Sequence, residues 1–102
     1  MQLNEITWQT MEPYVGGTFR IDFAGGQHVD LKLTDVKKVL DAHLDPRLTR
    51  DSFSLYFVGP AETLLPQAIY PLRHETLDEP LQIFIVPIGK VPEGFRYEAV
   101  FT

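Results

Sequence analysis

Alternation with a period of two runs through most of this chain, and it constrains the fold more than any other feature. In "TFRIDFA", Phe19, Ile21 and Phe23 alternate with Thr18, Arg20 and Asp22. A strand with one face on a core and one in water needs that pattern. The Gly25-Gly26 pair that follows reads as a two-residue hairpin turn. "HVDLKL" then alternates again through Val29, Leu31 and Leu33. Further on, Phe53, Leu55 and Phe57 share one face of a third run, while Tyr56 and Val58 make its other face partly apolar. Gly59-Pro60 ends that run, because proline cannot donate to a central ladder. "FRYEAVF" sets Phe95, Tyr97, Ala99 and Phe101 against Arg96, Glu98 and Val100.

The departures from alternation are as informative. After Leu33 the phase slips. Either a helix begins with Thr34 as its cap, or a bulge at Thr34-Asp35 lets Val36, Lys38 and Leu40 continue the strand. The bulged strand is preferred, because everything around it is β. Residues 41–51 read as a polar loop. In "QAIYPLRHE", Ala68, Tyr70, Leu72 and His74 share one face and Ile69, Arg73 and Glu75 the other. Pro71 marks this strand as an edge or a bulge. "LDEP" turns the chain into "LQIFIVPIG", where Leu81, Ile83 and Ile85 take one face and Phe84, Val86 and Ile88 the other. A strand apolar on both faces calls for cover on both. Near the start, Trp8, Met11 and Val15 have the spacing of a short amphipathic helix. Thr7 is its cap, and Pro13 and Gly16-Gly17 stop it. The whole predicts an all-β domain over residues 1–102: a small six-stranded antiparallel barrel or tight sandwich at 16–102, covered by a helical segment at 1–15.

Composition then narrows the function classes. A chain of 102 residues with 44% hydrophobic residues can fill one core without staples. With no cysteine, disulfides, thiolate nucleophiles and cysteine metal sites are out. The net charge of −5 and the scatter of nine basic residues argue against nucleic acid. No apolar run is long enough to span a bilayer, and "MQLNEITWQT" lacks the build of a signal peptide, so a cytoplasmic protein is expected.

Five segments carry a resemblance. "VGGTF" (15–19), "FSLYFVGP" (53–60), "QAIYPLRH" (67–74), "IFIVPIG" (83–89) and "YEAVF" (97–101) occur in this order. Together they resemble a family of short bacterial proteins described as a domain of unknown function. The family has a glycine after the equivalent of Gln67, where this chain has Ala68. It has a Leu-Gly turn where this chain has Leu77-Asp78. The resemblance implies a compact β-domain with a place near phage-tail-like genes, and it brings no activity.

The residues with chemistry form no catalytic set. Tyr70 and His74 share a face but sit roughly 13 Å apart along their strand, so a partner for His74 must come from Glu98 or Asp22 on neighbouring strands. Packing at a strand end with a backbone hydrogen bond is the expected role of His74. His28, His43 and His74 lack metal-ligand spacing. "ETLDEP" and "DAHLD" lack the glycine-bearing calcium loop. Asp22, Asp30 and Glu98 fall on polar faces, away from any shared inward site. No cofactor and no metal are expected. The expected function is a non-enzymatic protein-binding or assembly module, through a protein partner or self-association, with Tyr56, Tyr70, His74 and Glu98 as its candidate surface. Two alternatives stand beside it. One is a carrier of small apolar ligands; the other is an enzyme using Tyr70, His74 and Glu98.

Overall fold

In a computed structural model describing residues 5–48 and 50–102, each alternating run becomes a strand. The first four residues of the expected cover segment, and Thr49 in the expected polar loop, lie outside the described residues. The strands are β1 (Thr18–Asp22), β2 (His28–Leu40), β3 (Ser52–Gly59), β4 (Ala68–Leu72), β5 (Leu81–Val91) and β6 (Gly94–Phe101). They pair antiparallel in the order β1-β2-β3-β6-β5-β4, so two three-stranded meanders join through β3 and β6. Arg20 and Arg73 exchange two backbone hydrogen bonds of 2.8 Å, bringing β4 back against β1. The result is a nearly closed six-stranded barrel with one short N-terminal helix. Pro71 is tolerated because β4 lies at the end of the strand order.

The bulge at Thr34 explains how a 13-residue strand keeps its apolar side inward. Leu33 faces Phe57 and Val36 faces Leu55, with the register shifting between Leu33 and Asp35. One extra residue resets the two-residue phase, so both side chains meet the core. The Thr34 hydroxyl donates to the Tyr56 carbonyl at 3.2 Å. Inside the barrel, Phe19, Phe53, Leu55, Phe57 and Tyr97 are fully buried. Phe53 stacks on Phe101, ring centroids 4.8 Å apart, and Arg50 lies beyond both rings.

Tyr97 shows why a polar atom is tolerated in this core. Its hydroxyl accepts the Leu65 amide N–H at 2.9 Å, and burial pushes the phenol above the usual tyrosine range. Leu65 is itself buried in the segment between β3 and β4. Tyr97→Phe leaves that amide without its partner, so urea unfolding should show a loss of about 1–3 kcal/mol. An unchanged midpoint would mean that the Leu65 amide finds water instead.

The local corrections have simple causes. The first hairpin has a five-residue loop, not a two-residue turn, because Asp22 still pairs with His28. Residues Ala24–Gly26 form a 3-10 turn in which Gly25 and Gly26 both adopt positive φ, conformations glycine reaches without strain. Phe23 therefore leaves the strand and is 39% exposed, where alternation had placed it in the core. The N-terminal helix α1 spans only Trp8–Met11, capped as expected by Thr7, whose hydroxyl accepts the Thr10 N–H at 3.1 Å. Pro13 falls in a following 3-10 turn, so Val15 leaves the helical stripe and is 42% exposed.

Cover from α1 also goes elsewhere than expected. Met11 and Ile6 are buried in the core. Trp8 is held at the far end of β2: its indole N–H donates to Asp51 at 3.1 Å, and Lys38 sits over the ring. Asp51 also accepts the Ala42 N–H at 2.7 Å, and these two bonds hold its carboxyl below the usual range. The helix seals the barrel beside β2 and leaves the outer face of β5 bare. No helix among the described residues is long and apolar enough to cross a membrane.

Candidate functional site

Register decides which side chains meet on the outside of β4, β5 and β6. Ile69 pairs with Phe84; the β5–β6 pairs end at Val86 with Glu98, and two residues further along each strand Phe84 and Val100 stand in the same outward phase. Ile69, Phe84 and Val100 therefore share the outer face of three neighbouring strands. These are 63%, 49% and 62% exposed, although their strand neighbours Ile83, Ile85 and Ala99 are buried. One paired row reads Val86, Glu98, Tyr56, because Glu98 pairs with Tyr56 as well. The Tyr56 hydroxyl donates to Glu98 at 3.0 Å, and the carboxylate holds the phenol above its usual range. The Arg96 guanidinium lies 4.4 Å from the Tyr56 ring centroid. An apolar strip thus borders a tyrosine clamped between an acid and an arginine.

Of the four candidate residues, Tyr56 and Glu98 meet here; Tyr70 and His74 do not. Tyr70 pairs with buried Ile83 and so points to the interior, opposite to Glu98. Its hydroxyl donates to the Pro66 carbonyl at 2.7 Å, and burial raises its phenol. His74 lies just past the end of β4. Its ring rests 5.0 Å from Phe19 and 4.8 Å from Tyr14, edge-on to the latter. The Thr76 amide donates to Nδ1 at 3.1 Å. Asp22, the other partner considered for His74, forms an ion pair with Arg73 instead. Tyr70, His74 and Glu98 are thus three separate environments, and they do not converge.

His74 does line a cleft of about 610 Å³ at the β1–β4 seam, with Gly17, Arg20, Arg73 and Glu75. Both arginines already have carboxylate partners: Arg20 bonds Asp30 and Arg73 bonds Asp22. Asp78 and Glu79 add further negative charge to the rim. A second hollow of about 600 Å³ lies over β2, and His28, Lys32 and Glu93 are among its lining residues. His43 stands apart in the 3-10 turn Ala42–Leu44. Among the described residues no three metal-ligating side chains come together. Replacing His74 by glutamine should cost about 1–2 kcal/mol in urea unfolding, the worth of one hydrogen bond and its ring contacts. A loss above about 4 kcal/mol would mean that the ring carries core packing beyond these contacts.

Residues 6–101 match the family model for a domain of unknown function, DUF6916. This chain belongs to the DUF6916 family. The match takes in α1 and all six strands, in agreement with the short domain of unknown function that the motifs resemble. No curated protein and no solved structure matches it. For this DUF6916 chain, Arg96, Ile69 and Val100 are the site residues that sequence reasoning passed over. Their signal was weak, because a single valine or isoleucine in a polar phase is ordinary until the fold brings several to one face.

Proposed function

We propose that this DUF6916 chain is a non-enzymatic protein-binding or assembly module that works through the outer face of β4, β5 and β6. One observation carries the reading: Ile69, Phe84 and Val100 are exposed apolar residues that share the outer face of neighbouring strands. Contiguous apolar surface of this kind marks interaction sites, whereas scattered apolar residues do not. Tyr56 and Arg96 beside them are residue types enriched at the energetic centres of interfaces. The filled interior favours this reading over a carrier of apolar ligands, which needs a chamber. The separation of Tyr70, His74 and Glu98 favours it over an enzyme, which needs them in mutual reach. The setting that goes with it is the cytoplasm, as an accessory component of a larger bacterial or phage-tail-like assembly.

A photoreactive phenylalanine analogue at position 84 tests the face directly, in cells that naturally carry the chain. Illumination should yield a discrete adduct to a protein, either another copy or a different chain. The same analogue at exposed Glu62 should yield none. Equal labelling from both positions would overturn the reading.

A further inference from the structure

We propose that the occupant of the outer face is a second copy of this chain, packed sheet on sheet about a twofold axis running along β5. The proposal rests on the protein-binding reading above and adds the partner and its geometry.

Register supplies the first reason. Rotation by half a turn about β5 keeps each row at its own height and exchanges β4 with β6. Phe84 then meets Phe84 of the second copy, and Ile69 is carried to the β6 side, where Val100 stands in the same outward phase. In the next row Val86 meets Val86. Gln67 is the exposed residue just before β4, beyond the last pair of Ala68 with Ile85, so the exchange of β4 with β6 brings Glu98 of one copy to the side where the other carries Gln67. An amide can donate to that carboxylate. Moving the axis between β5 and β6 would instead set Val86 against Glu98, a buried carboxylate facing a methyl group. Of these two axes, the one along β5 keeps apolar on apolar and sets the acid beside a donor.

Charge is the second reason. The chain carries −5, but the outward positions of β4, β5 and β6 in these rows carry only Glu98 and Arg96. Lys90 follows the bulge between Pro87 and Gly89 and turns to the Phe95 ring, 5.8 Å away, off this face. Two such faces can approach with few charges set against each other.

Area is the third. Ile69, Phe84, Val100 and the 43% exposed Ile88 together offer on the order of 400 Å² of apolar surface, as large as the biggest patch on an ordinary monomer. With Gln67, Arg96 and Glu98 as a polar rim, each copy would bury roughly 600–700 Å², at the lower end of a specific interface. The contact is therefore a reversible dimer that forms with rising concentration.

The chain has no cysteine, so single-cysteine variants read the geometry cleanly. Light scattering on the purified chain should give a mass that climbs from 11.7 kDa toward twice that value with concentration. Phe84→Glu should hold it at the monomer mass with an unchanged circular dichroism spectrum. Under mild oxidation Phe84→Cys should give a disulfide dimer at least tenfold faster than Glu62→Cys. Ile69→Cys and Val100→Cys should each form no disulfide dimer alone and should cross-link to each other when mixed. A constant mass of 11.7 kDa at all concentrations overturns the second-copy proposal. So does dimerisation in which Phe84→Cys cross-links no faster than the control. If the photoreactive analogue at position 84 still captures a different protein, the binding face stands and only its occupant is wrong. If it captures nothing, both readings fall.

Discussion

Gly94→Ala should unfold the chain or lower its stability by about 4 kcal/mol or more, the largest effect expected of any single methyl group here. Two costs add. Gly94 has φ of +151°, a conformation that side chains with a Cβ rarely adopt. A Cβ there would also overlap the Gly59 carbonyl oxygen and lie 3.1 Å from the Ala61 amide nitrogen. Both neighbours are backbone and cannot swing aside. Gly94 opens β6 opposite Val91, while Gly59 closes β3 opposite Phe95, so the glycines let two strand ends cross in contact. Gly89→Ala is the control, since nothing lies within 4 Å of a Cβ there. Its effect should stay within about 1 kcal/mol. Urea unfolding followed by circular dichroism separates them; equal midpoints for the two variants would refute the crossing argument.

Phe19→Ala should cost about 3–5 kcal/mol, because it opens a cavity where several elements meet. The ring is fully buried and edge-on to Phe57 at 5.9 Å, with Tyr14 at 5.9 Å and His74 at 5.0 Å. Losing it removes the seat of the His74 ring and loosens the turn before β1. Phe23→Ala should cost only about 1 kcal/mol, since that ring is 39% exposed and touches Tyr70 edge-on at 6.4 Å. Alternation alone treats Phe19 and Phe23 as equals, so thermal unfolding of the pair measures what the five-residue loop changes. Similar losses from both variants would return Phe23 to the core.

Most of the architecture was legible as residue periodicity. The inward phases of β1, β3 and β6 were read from Phe19, Phe53 and Tyr97, because a buried face must repeat every second residue, whereas β5, apolar on both faces, offered no single inward phase. The bulge at Thr34 was legible too, since apolar Leu33 and Val36 could share a face only with one residue inserted between them. Turn length was not. The Gly25-Gly26 pair permits a tight hairpin, but the register that keeps Asp22 opposite His28 lengthens it. The buried roles of Ile6 and Leu65 were missed as well, because isolated apolar residues in irregular segments carry no period.

The candidate site divides along the same line. Sequence by itself determined that β5 is apolar on both faces, that Tyr56 and Glu98 lie in outward phases, and that no cysteine or basic cluster supports other chemistry. Those properties follow from residue type and a period of two, which need no knowledge of neighbouring strands. Tertiary structure alone decided that Ile69, Phe84 and Val100 share one exposed outer face, that Glu98 and Arg96 clamp Tyr56, and that α1 seals the barrel beside β2. The physical reason is cross-strand register. A one-residue slip in any pairing would move each side chain to the opposite face, and register is set by bulges, loop lengths and distant core contacts that no local window contains.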